Sequence, residues 1–299
     1  SLGKLQAQQS IWRPRQDLLR QDRILWSMVA PRSVSLACHG SPGLIASKAM
    51  ENEIENPRWW TQAILIGAVI SAVLMVMAGF GTRLGMWGYT GGFTIASGGV
   101  VLAVAVFFLG VIGYVVCLRK GLQSERSNIL IGLLICVVLL GQFGVQMNAI
   151  SSVPRIHNIS TDTLDPPSFD ALVAIREAAG ANPLFYDASV LAEQQQAAYP
   201  WVTTLNSPIS PAIVLNSATM VIEDLGLEVI NVSVEKGIVE ATDTTFWFGF
   251  KDDVVVRVRA AENGGGSIVD VRSVSRVGQS DLGLNAKRIG FILDGLRDA

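Results

Sequence analysis

The sequence predicts a membrane region of three helices followed by an outer α+β domain, in which about four antiparallel strands pack against helices. Half of the 299 residues are hydrophobic and only 16% are charged, which is too apolar for an ordinary soluble domain of this length. The long uncharged runs all lie between residues 58 and 150. Residues 151–299 instead show the alternation of strands and the spacing of amphipathic helices.

The chain begins with a segment, residues 1–57, that shows little sustained periodicity and is broken by turn-forming residues. One interpretation is a basic cytoplasmic arm or a targeting segment. The other is upstream sequence with the natural start at Met50, where "MENEIENPRWW" leads directly into the first apolar run. We expect the second, and predict that this segment is a misassigned start or is disordered.

Three runs without Asp, Glu, Lys or Arg lie at about 61–80, 95–117 and 129–148. Each is about 20 residues long, the length of helix that crosses the hydrocarbon core of a bilayer. We therefore predict three transmembrane helices within residues 58–150.

The loops between the runs predict the orientation. Residues 118–128 hold three Lys or Arg residues, whereas residues 81–93 hold only Arg83. Positive charge concentrates in cytoplasmic loops, so we expect the N-terminus in the cytoplasm and residues 151–299 outside it. The expected location is a bacterial inner (plasma) membrane with a periplasmic domain.

The outer domain begins with two predicted helices. "PPSFDALVAIREAAG" predicts a helix with Ser168 as its N-cap and an end at Gly180. "SPAIVLNSATMVIEDLG" predicts a second helix that has Ser210 as N-cap, Pro211 at its first position and an end at Gly226.

Strand signals follow in series. "LEVINVSV" and "IVEATDTT" flank the turn "KG", and "DVVVRVRAA" and "SIVDVRSVSRV" flank "ENGGG". A last helix is predicted from near Ser280, with apolar residues on one side. This order of helices and antiparallel strands predicts a two-layer α+β domain.

The polar residues of the run 269–292 fall on ordered surfaces. Strand side chains alternate, so Asp270, Arg272 and Arg276 share one face. Folding the hairpin about Gly264 brings Arg257 close to Asp270, which predicts a cross-strand ion pair.

The final helix places Asp281, Asn285 and Arg288 on one of its own faces. Three interpretations of these polar residues remain open: a salt-bridged face that stabilises the fold, a pocket in which arginines bind an anionic ligand, and a catalytic cluster. If the aspartate of the strand face is already paired, Arg272 and Arg276 are surplus positive charges. We therefore expect a ligand site formed by Arg257, Asp270, Arg272, Arg276, Asp281, Asn285 and Arg288.

Several classes of chemistry find little support in the sequence. The net charge of −2 argues against a nucleic-acid partner. Three cysteines and two histidines in the chain do not suit a disulfide framework or a zinc cluster, so we predict neither a metal nor a cofactor. His157 is alone as a histidine in the outer domain, and "GQSDLG" is one residue too long for a hydrolase Gly-x-Ser-x-Gly elbow. "FWFGF" (246–250) is either core or an aromatic patch that faces a ligand; we expect core.

The segments "PRIHNISTDTLDPPSF", "FGFKDDVVVRVR" and "VDVRSVSRVGQSDLGLNAKRI" together resemble the bacterial and plastid family called domain of unknown function 1499. The resemblance covers roughly residues 153–297 and implies no established activity or catalytic residue. It implies only that the polar residues of the run fall within the family's motif.

We therefore expect a membrane-anchored binding or assembly module. Its expected partners are the lipid bilayer together with an envelope protein, a lipid headgroup or an anionic small molecule. The alternative is an envelope enzyme, hydrolase-like, that uses the Arg/Asp/Ser cluster.

Overall fold

A computed structural model describes residues 58–262 and 264–298 of the chain. The predictions made for residues 1–57, including a natural start at Met50, lie outside the described residues.

Three long helices open the described part of the chain: α1 (Trp59–Arg83), α2 (Tyr89–Lys120) and α3 (Arg126–Ser152). Each extends beyond the corresponding predicted run at both ends. All three are long and apolar enough to cross a membrane, which indicates a membrane protein.

The three helices pack through small residues and are held together by a buried carboxylate. A Cβ atom at Gly113 of α2 would lie only 2.9 Å from the Trp60 ring of α1, so glycine permits the close approach. Glu125, in the loop before α3, accepts hydrogen bonds from the Arg58 main-chain N–H (2.8 Å) and the Thr61 hydroxyl at the start of α1. A carboxylate at this position satisfies a main-chain N–H at the start of α1 that has no acceptor within the helix.

The α+β fold class is confirmed, with six antiparallel strands instead of about four. The elements after α3 are β1 (Asn158–Ser160), α4 (Ala171–Ala178), α5 (Ala188–Ala198), β2 (Leu205–Ser207), α6 (Pro211–Asp224), β3 (Glu228–Ser233), β4 (Ile238–Thr244), β5 (Lys251–Ala260), β6 (Ser267–Ser275) and α7 (Leu284–Arg297). The strand order is β1-β6-β5-β4-β3, and β2 also pairs with β6 beside β1. The two additional strands have three residues each, too few to show an alternating pattern.

One face of the sheet is apolar and lies beneath α6 and α7. Its valines alternate along β5 and β6, and their neighbours are the apolar stripes of the two helices. The members that are fully buried include Val254, Val256, Val271, Ile289 and Ile292. We call this the apolar face.

The opposite face carries charged side chains and lies beneath residues 161–186, which include α4. Its smaller apolar group contains Phe169, Leu172, Ile238, Val255 and Val274. We call this the charged face, because buried Asp, Glu and Arg residues lie between these apolar side chains.

Helix α4 begins later than predicted, and its cap comes from the sheet. Ser168 was predicted as N-cap, but the helix begins at Ala171. The buried Glu240 carboxylate on β4 accepts hydrogen bonds from the N–H groups of Asp170 (2.7 Å) and Ala171 (2.9 Å). Glu240, which is distant in sequence, therefore caps α4 in place of the predicted Ser168.

Of the other helices of this domain, one begins as predicted, one begins later than predicted and one was not predicted. Helix α6 begins at Pro211 after Ser210, as predicted, and Gly226 follows it with a positive φ of 80°. Helix α7 begins at Leu284, later than the predicted start near Ser280. Helix α5 was not predicted.

Candidate functional site

The seven predicted site residues do not form one pocket. The structure divides them between the two faces of the sheet, and the opposite orientation of neighbouring strand residues explains the division. Asp270, Arg272 and Arg276 lie on the charged face. Ser273 and Ser275 point to the apolar face, where Asn285 and Arg288 contact them and Asp281 contacts Asn285.

Asp270 is fully buried on the charged face and binds two arginines. The predicted register is confirmed, since Arg257 lies directly opposite Asp270 and donates to it at 3.0 Å. Arg259 donates to the same carboxylate oxygen at 2.7 Å, and the Thr204 hydroxyl donates to the other at 2.6 Å. Burial alone would raise the pKa of Asp270, but the hydrogen bonds from Thr204 and the two arginines hold it below its usual value.

Arg272 is buried on the same face with no carboxylate within 4 Å among the described residues. Its guanidinium donates to Asn158 Oδ1 (3.1 Å), to the Pro167 carbonyl (3.1 Å) and to the Leu184 carbonyl. The Phe169 ring lies beside the guanidinium, and 5.6 Å separate the ring centroid from Arg272 Cζ. Burial, helped by the charge of a neighbouring arginine, lowers the pKa of Arg272 to about 10. The positive charge is surplus, as predicted, but two of the three acceptors are carbonyls of the segment that covers the face, and the third belongs to β1.

The prediction that Arg276 is a surplus charge is wrong. Arg276 binds Asp253 through two parallel hydrogen bonds, both 2.8 Å long. Asp253, fully buried, also accepts from Arg176 of α4 at 2.6 Å and from the Thr242 hydroxyl at 2.7 Å. Burial would raise the pKa of Asp253, whereas the hydrogen bonds from Arg276, Thr242 and Arg176 lower it below the usual value overall.

The helix residues form a separate cluster on the apolar face, at its end near the start of β5. Arg288 donates to Asp243 (2.5 Å) and Asp252 (2.8 Å). Asp281 accepts from the main-chain N–H of Asn285 at 2.7 Å and thereby caps α7. Burial raises the pKa of Asp281, and its hydrogen bonds from main-chain N–H groups oppose that rise. Asp281, Asn285 and Arg288 are therefore close together, as predicted, but the sheet separates them from Arg272 and Arg276.

The serines of this cluster bind an amide and a guanidinium. The Ser273 hydroxyl donates to Asn285 Oδ1 at 2.6 Å and accepts from Arg288 at 3.1 Å. The Ser275 hydroxyl accepts from Asn285 Nδ2 at 3.0 Å. His157 meets the cluster through its main-chain carbonyl, which accepts from Asn285 Nδ2, and burial lowers the pKa of its imidazole. A nucleophilic serine needs a base as its partner, and these contacts supply none.

Sequence reasoning missed several buried polar residues that complete the network. Gln195 of α5 is one, since its amide donates to the Ser160 carbonyl (2.7 Å) and accepts from the Ser160 N–H (3.0 Å), which closes the outer edge of β1. The run "AEQQQAA" offers no local signal for this role. Arg176 and Asp253 were detectable as charged residues within apolar patterns, but their pairing joins positions 77 residues apart. Within the described residues, no group of three or more His, Cys, Asp or Glu side chains could hold a metal ion.

The comparisons with known proteins concern this domain. Residues 158–296 match the model of a family described as protein of unknown function (DUF1499). The domain belongs to the DUF1499 family. The match includes all six strands and every polar cluster described above. A comparison with curated proteins gives no match.

The loop between β4 and β5 of the DUF1499 domain, residues 245–250, binds the membrane helices. We call it the aromatic loop. The prediction that "FWFGF" is core is wrong, because Phe246 is 72% exposed and Trp247 is 40% exposed. Trp247 packs against Gly79 of α1, and its ring centroid lies 5.2 Å from that of Phe80 in the same helix.

Two further contacts tie the aromatic loop to the helices. The Arg83 guanidinium, at the end of α1, donates to the main-chain carbonyls of Thr245 (2.8 Å) and Phe246 (2.7 Å). Phe248 lies 5.3 Å from Phe93 in the first turns of α2. The DUF1499 domain is therefore attached to its membrane helices by a second contact besides the chain connection after α3.

The outer side of α7 carries an open hollow of about 390 Å³. Trp201 and Phe291 flank it, 47% and 61% exposed, and Lys287, Asp294 and Arg297 lie around it. Exposed aromatic side chains bordered by charged ones are typical of surfaces that bind other proteins. We call this the α7 hollow.

Proposed function

We propose that this chain is a membrane-anchored, extracytoplasmic binding or assembly module whose DUF1499 domain binds a protein partner of the cell envelope. The observation that carries the proposal is the α7 hollow, where Trp201 and Phe291 remain exposed beside charged side chains of both signs. The rest of the outer domain supports the choice of an exposed surface as the binding site. The arginines that the sequence suggested for an anionic ligand, Arg272, Arg276 and Arg288, already donate to buried oxygens of the domain.

The alternative, a hydrolase-like enzyme that uses the Arg/Asp/Ser cluster, requires an activated serine. Ser273 and Ser275 instead share hydrogen bonds with Asn285 and Arg288, neither of which accepts a proton at neutral pH. No contact of the described residues favours this second function.

The orientation in the proposal rests on charge. Arg119, Lys120 and Arg126 lie at or beside the loop between α2 and α3, whereas Arg83 is alone at the connection between α1 and α2. We expect alkaline phosphatase fused after residue 155 to be active, and the same enzyme fused at residue 123 to be inactive. The reverse pattern would refute an extracytoplasmic domain and leave the binding proposal to be judged by crosslinking.

The binding surface is tested by photocrosslinking in native membranes with the full chain. A photoreactive amino acid replaces Phe291 at the α7 hollow, and the matched control replaces Phe185, which is also exposed. We expect one discrete crosslinked product from position 291 that the additional substitution Trp201→Ala abolishes. The same product from both positions, or none from position 291, contradicts the proposal.

A further inference from the structure

One end of the sheet contacts the membrane helices through the aromatic loop, and the other end is the strand length away from that contact. Successive turns of an antiparallel sheet lie at alternate ends, so the aromatic loop lies at one end and residues 234–237 and 264–266 lie at the other. Strand β5 has 10 residues and therefore separates the two ends by about 30 Å. Only the aromatic-loop end contacts α1 and α2 in the pairs described above.

The contacts of the aromatic loop place it where the helices leave the membrane. Trp247 packs against Gly79, which is one helical turn before the end of α1 at Arg83. Helix α1 has 25 residues and is about 37 Å long, which exceeds the hydrocarbon core of about 30 Å by part of the headgroup layers. The loop therefore lies at the depth of the interfacial layer, where tryptophan is enriched in membrane proteins.

The aromatic side chains of the loop are only partly used by these contacts. The Phe246 ring meets Phe80 edge-on at 5.8 Å, yet most of its surface remains exposed. Moving an exposed phenylalanine side chain from water into an apolar environment is favourable. Residues 244–250 contain no charged side chain, so the cost of burying a charge does not oppose transfer of the loop into an apolar layer.

We propose that the aromatic loop inserts the exposed surfaces of Phe246 and Trp247 into the interfacial layer of the bilayer. Its partner is lipid, because the loop continues the surface of helices that are themselves long and apolar enough to cross a membrane. The inserted loop and the Arg83 hydrogen bonds hold the DUF1499 domain at a fixed distance from the bilayer. Arg257 and Arg259 then lie at the end of the sheet that is away from the membrane. This inference rests on the helices crossing a bilayer and is independent of what the α7 hollow binds.

The test uses the full chain in lipid nanodiscs, with Cys38, Cys117 and Cys136 replaced by serine or alanine. An environment-sensitive fluorophore is attached to Phe246→Cys or, as the matched control, to Val234→Cys. Val234 is 76% exposed and lies at the opposite end of the sheet. Nitroxide-bearing phosphatidylcholine reports contact with lipid, and iodide in the buffer reports contact with water.

We expect the label at position 246 to show blue-shifted emission and quenching by the nitroxide lipid, and the label at position 234 to be quenched by iodide alone. Iodide quenching without lipid quenching at position 246 overturns the proposal. Protection of position 246 from both quenchers also overturns it, because a protein surface would then cover the loop.

The result separates this inference from the proposed function. Both leaflets contain the nitroxide lipid, so quenching does not depend on the orientation of the domain. Crosslinking from position 291 is measured separately, in native membranes, on a chain that carries the photoreactive amino acid and the same cysteine replacements. Loss of the crosslink with lipid quenching intact refutes the partner surface, whereas the opposite outcome refutes lipid insertion.

Discussion

The two faces of one sheet are stabilised by different interactions. The apolar face buries the valines of β5 and β6 beneath α6 and α7, whereas the charged face buries Asp253 and Asp270 with their arginines beneath residues 161–186. Both faces exclude water, but they tolerate change differently. Apolar contacts are non-directional and are lost gradually, whereas a buried ion pair leaves an uncompensated charge when one partner is removed.

This difference explains why the arginine-rich motif resembles a ligand site in the sequence. The strands β5 and β6 direct most of their charged residues to one face at alternate positions, and valines occupy most of the positions that point to the opposite face. The charges then select one arrangement of the covering segment, because each donor finds its acceptor in only one position. We therefore assign the arginines of the charged face to fixing residues 161–186 on the sheet.

The largest expected effect is that of Asp253→Ala on the charged face. The substitution leaves the buried Arg176 and the partly buried Arg276 without their shared carboxylate, which should lower the free energy of unfolding by about 3–5 kcal/mol. The measurement is pulse proteolysis in urea on the full chain in detergent, because the protease cleaves the domain only when it is unfolded.

A matched control for this substitution is Asp294→Ala, which removes an exposed ion pair with Arg297 on α7. Exposed pairs typically contribute at most about 1 kcal/mol, so the control should unfold at nearly the original urea concentration. Equal effects of the two substitutions would mean that the charged face is solvated, and the contrast between the two faces would then fail.

The second effect is that of Arg272→Met, which keeps much of the side-chain volume and removes the donors. Asn158 Oδ1 and the carbonyls of Pro167 and Leu184 then lose their partner. A buried acceptor without a donor costs about 1–3 kcal/mol, and we expect a loss near 2 kcal/mol because the covering segment can shift to admit water. Arg272→Lys keeps the charge but not the planar arrangement of donors, so it should restore only part of the stability. An Arg272→Met variant as stable as the original chain would return Arg272 to consideration as a ligand-binding residue.

The third effect is a dependence on pH, and it has opposite signs at the two faces. Hydrogen bonds from arginines and threonines lower the pKa of Asp253 and Asp270, so their contribution to stability is present above the usual value of 3.8 and is lost as the pH falls through the folded value. Burial raises the pKa of Asp281, so its contribution is greatest below 3.8 and is lost as the pH rises through the folded value.

Two asparagine substitutions check these signs. Asp270→Asn should flatten the loss of stability in acid, and Asp281→Asn should steepen it. Pulse proteolysis at a series of pH values from about 3 to 6 measures the slopes. A flatter slope for Asp281→Asn would contradict the sign assigned to this carboxyl.

The sequence predicts those features that local patterns determine. Alternation gave the strands β3 to β6, and the glycine-rich connection gave the register that pairs Arg257 with Asp270. Strands β1 and β2 escaped prediction because three residues do not establish a period. Apolar composition alone also did not distinguish core from a partly exposed surface that contacts other helices, and the aromatic loop was assigned to the core for that reason.

The partners of the polar residues were harder to predict, because they are distant in sequence. Glu240 caps a helix that begins 69 residues earlier. Arg276 was expected to be surplus because the predicted strand face contained one aspartate, whereas Asp253 reaches the same place from the neighbouring strand. A count of charges on one strand cannot detect such a partner.

The smallest expected effect is that of Arg259→Ala, at the end of the charged face. Arg259 has three carboxylates within 4 Å, those of Asp162, Asp165 and Asp270, and by number of ion pairs it would be among the most important arginines. The Arg259 side chain is nevertheless 43% exposed, so water screens its charge. In addition, Arg257 still neutralises Asp270 when Arg259 is removed.

We expect Arg259→Ala to lower the free energy of unfolding by at most about 1 kcal/mol, less than Arg272→Met, although Arg272 binds no carboxylate among the described residues. The two variants are compared by pulse proteolysis under identical conditions. If Arg259→Ala costs more than Arg272→Met, the number of ion pairs decides the stability of the charged face. If it costs less, burial decides it, because water replaces an exposed donor more readily than a donor enclosed by protein.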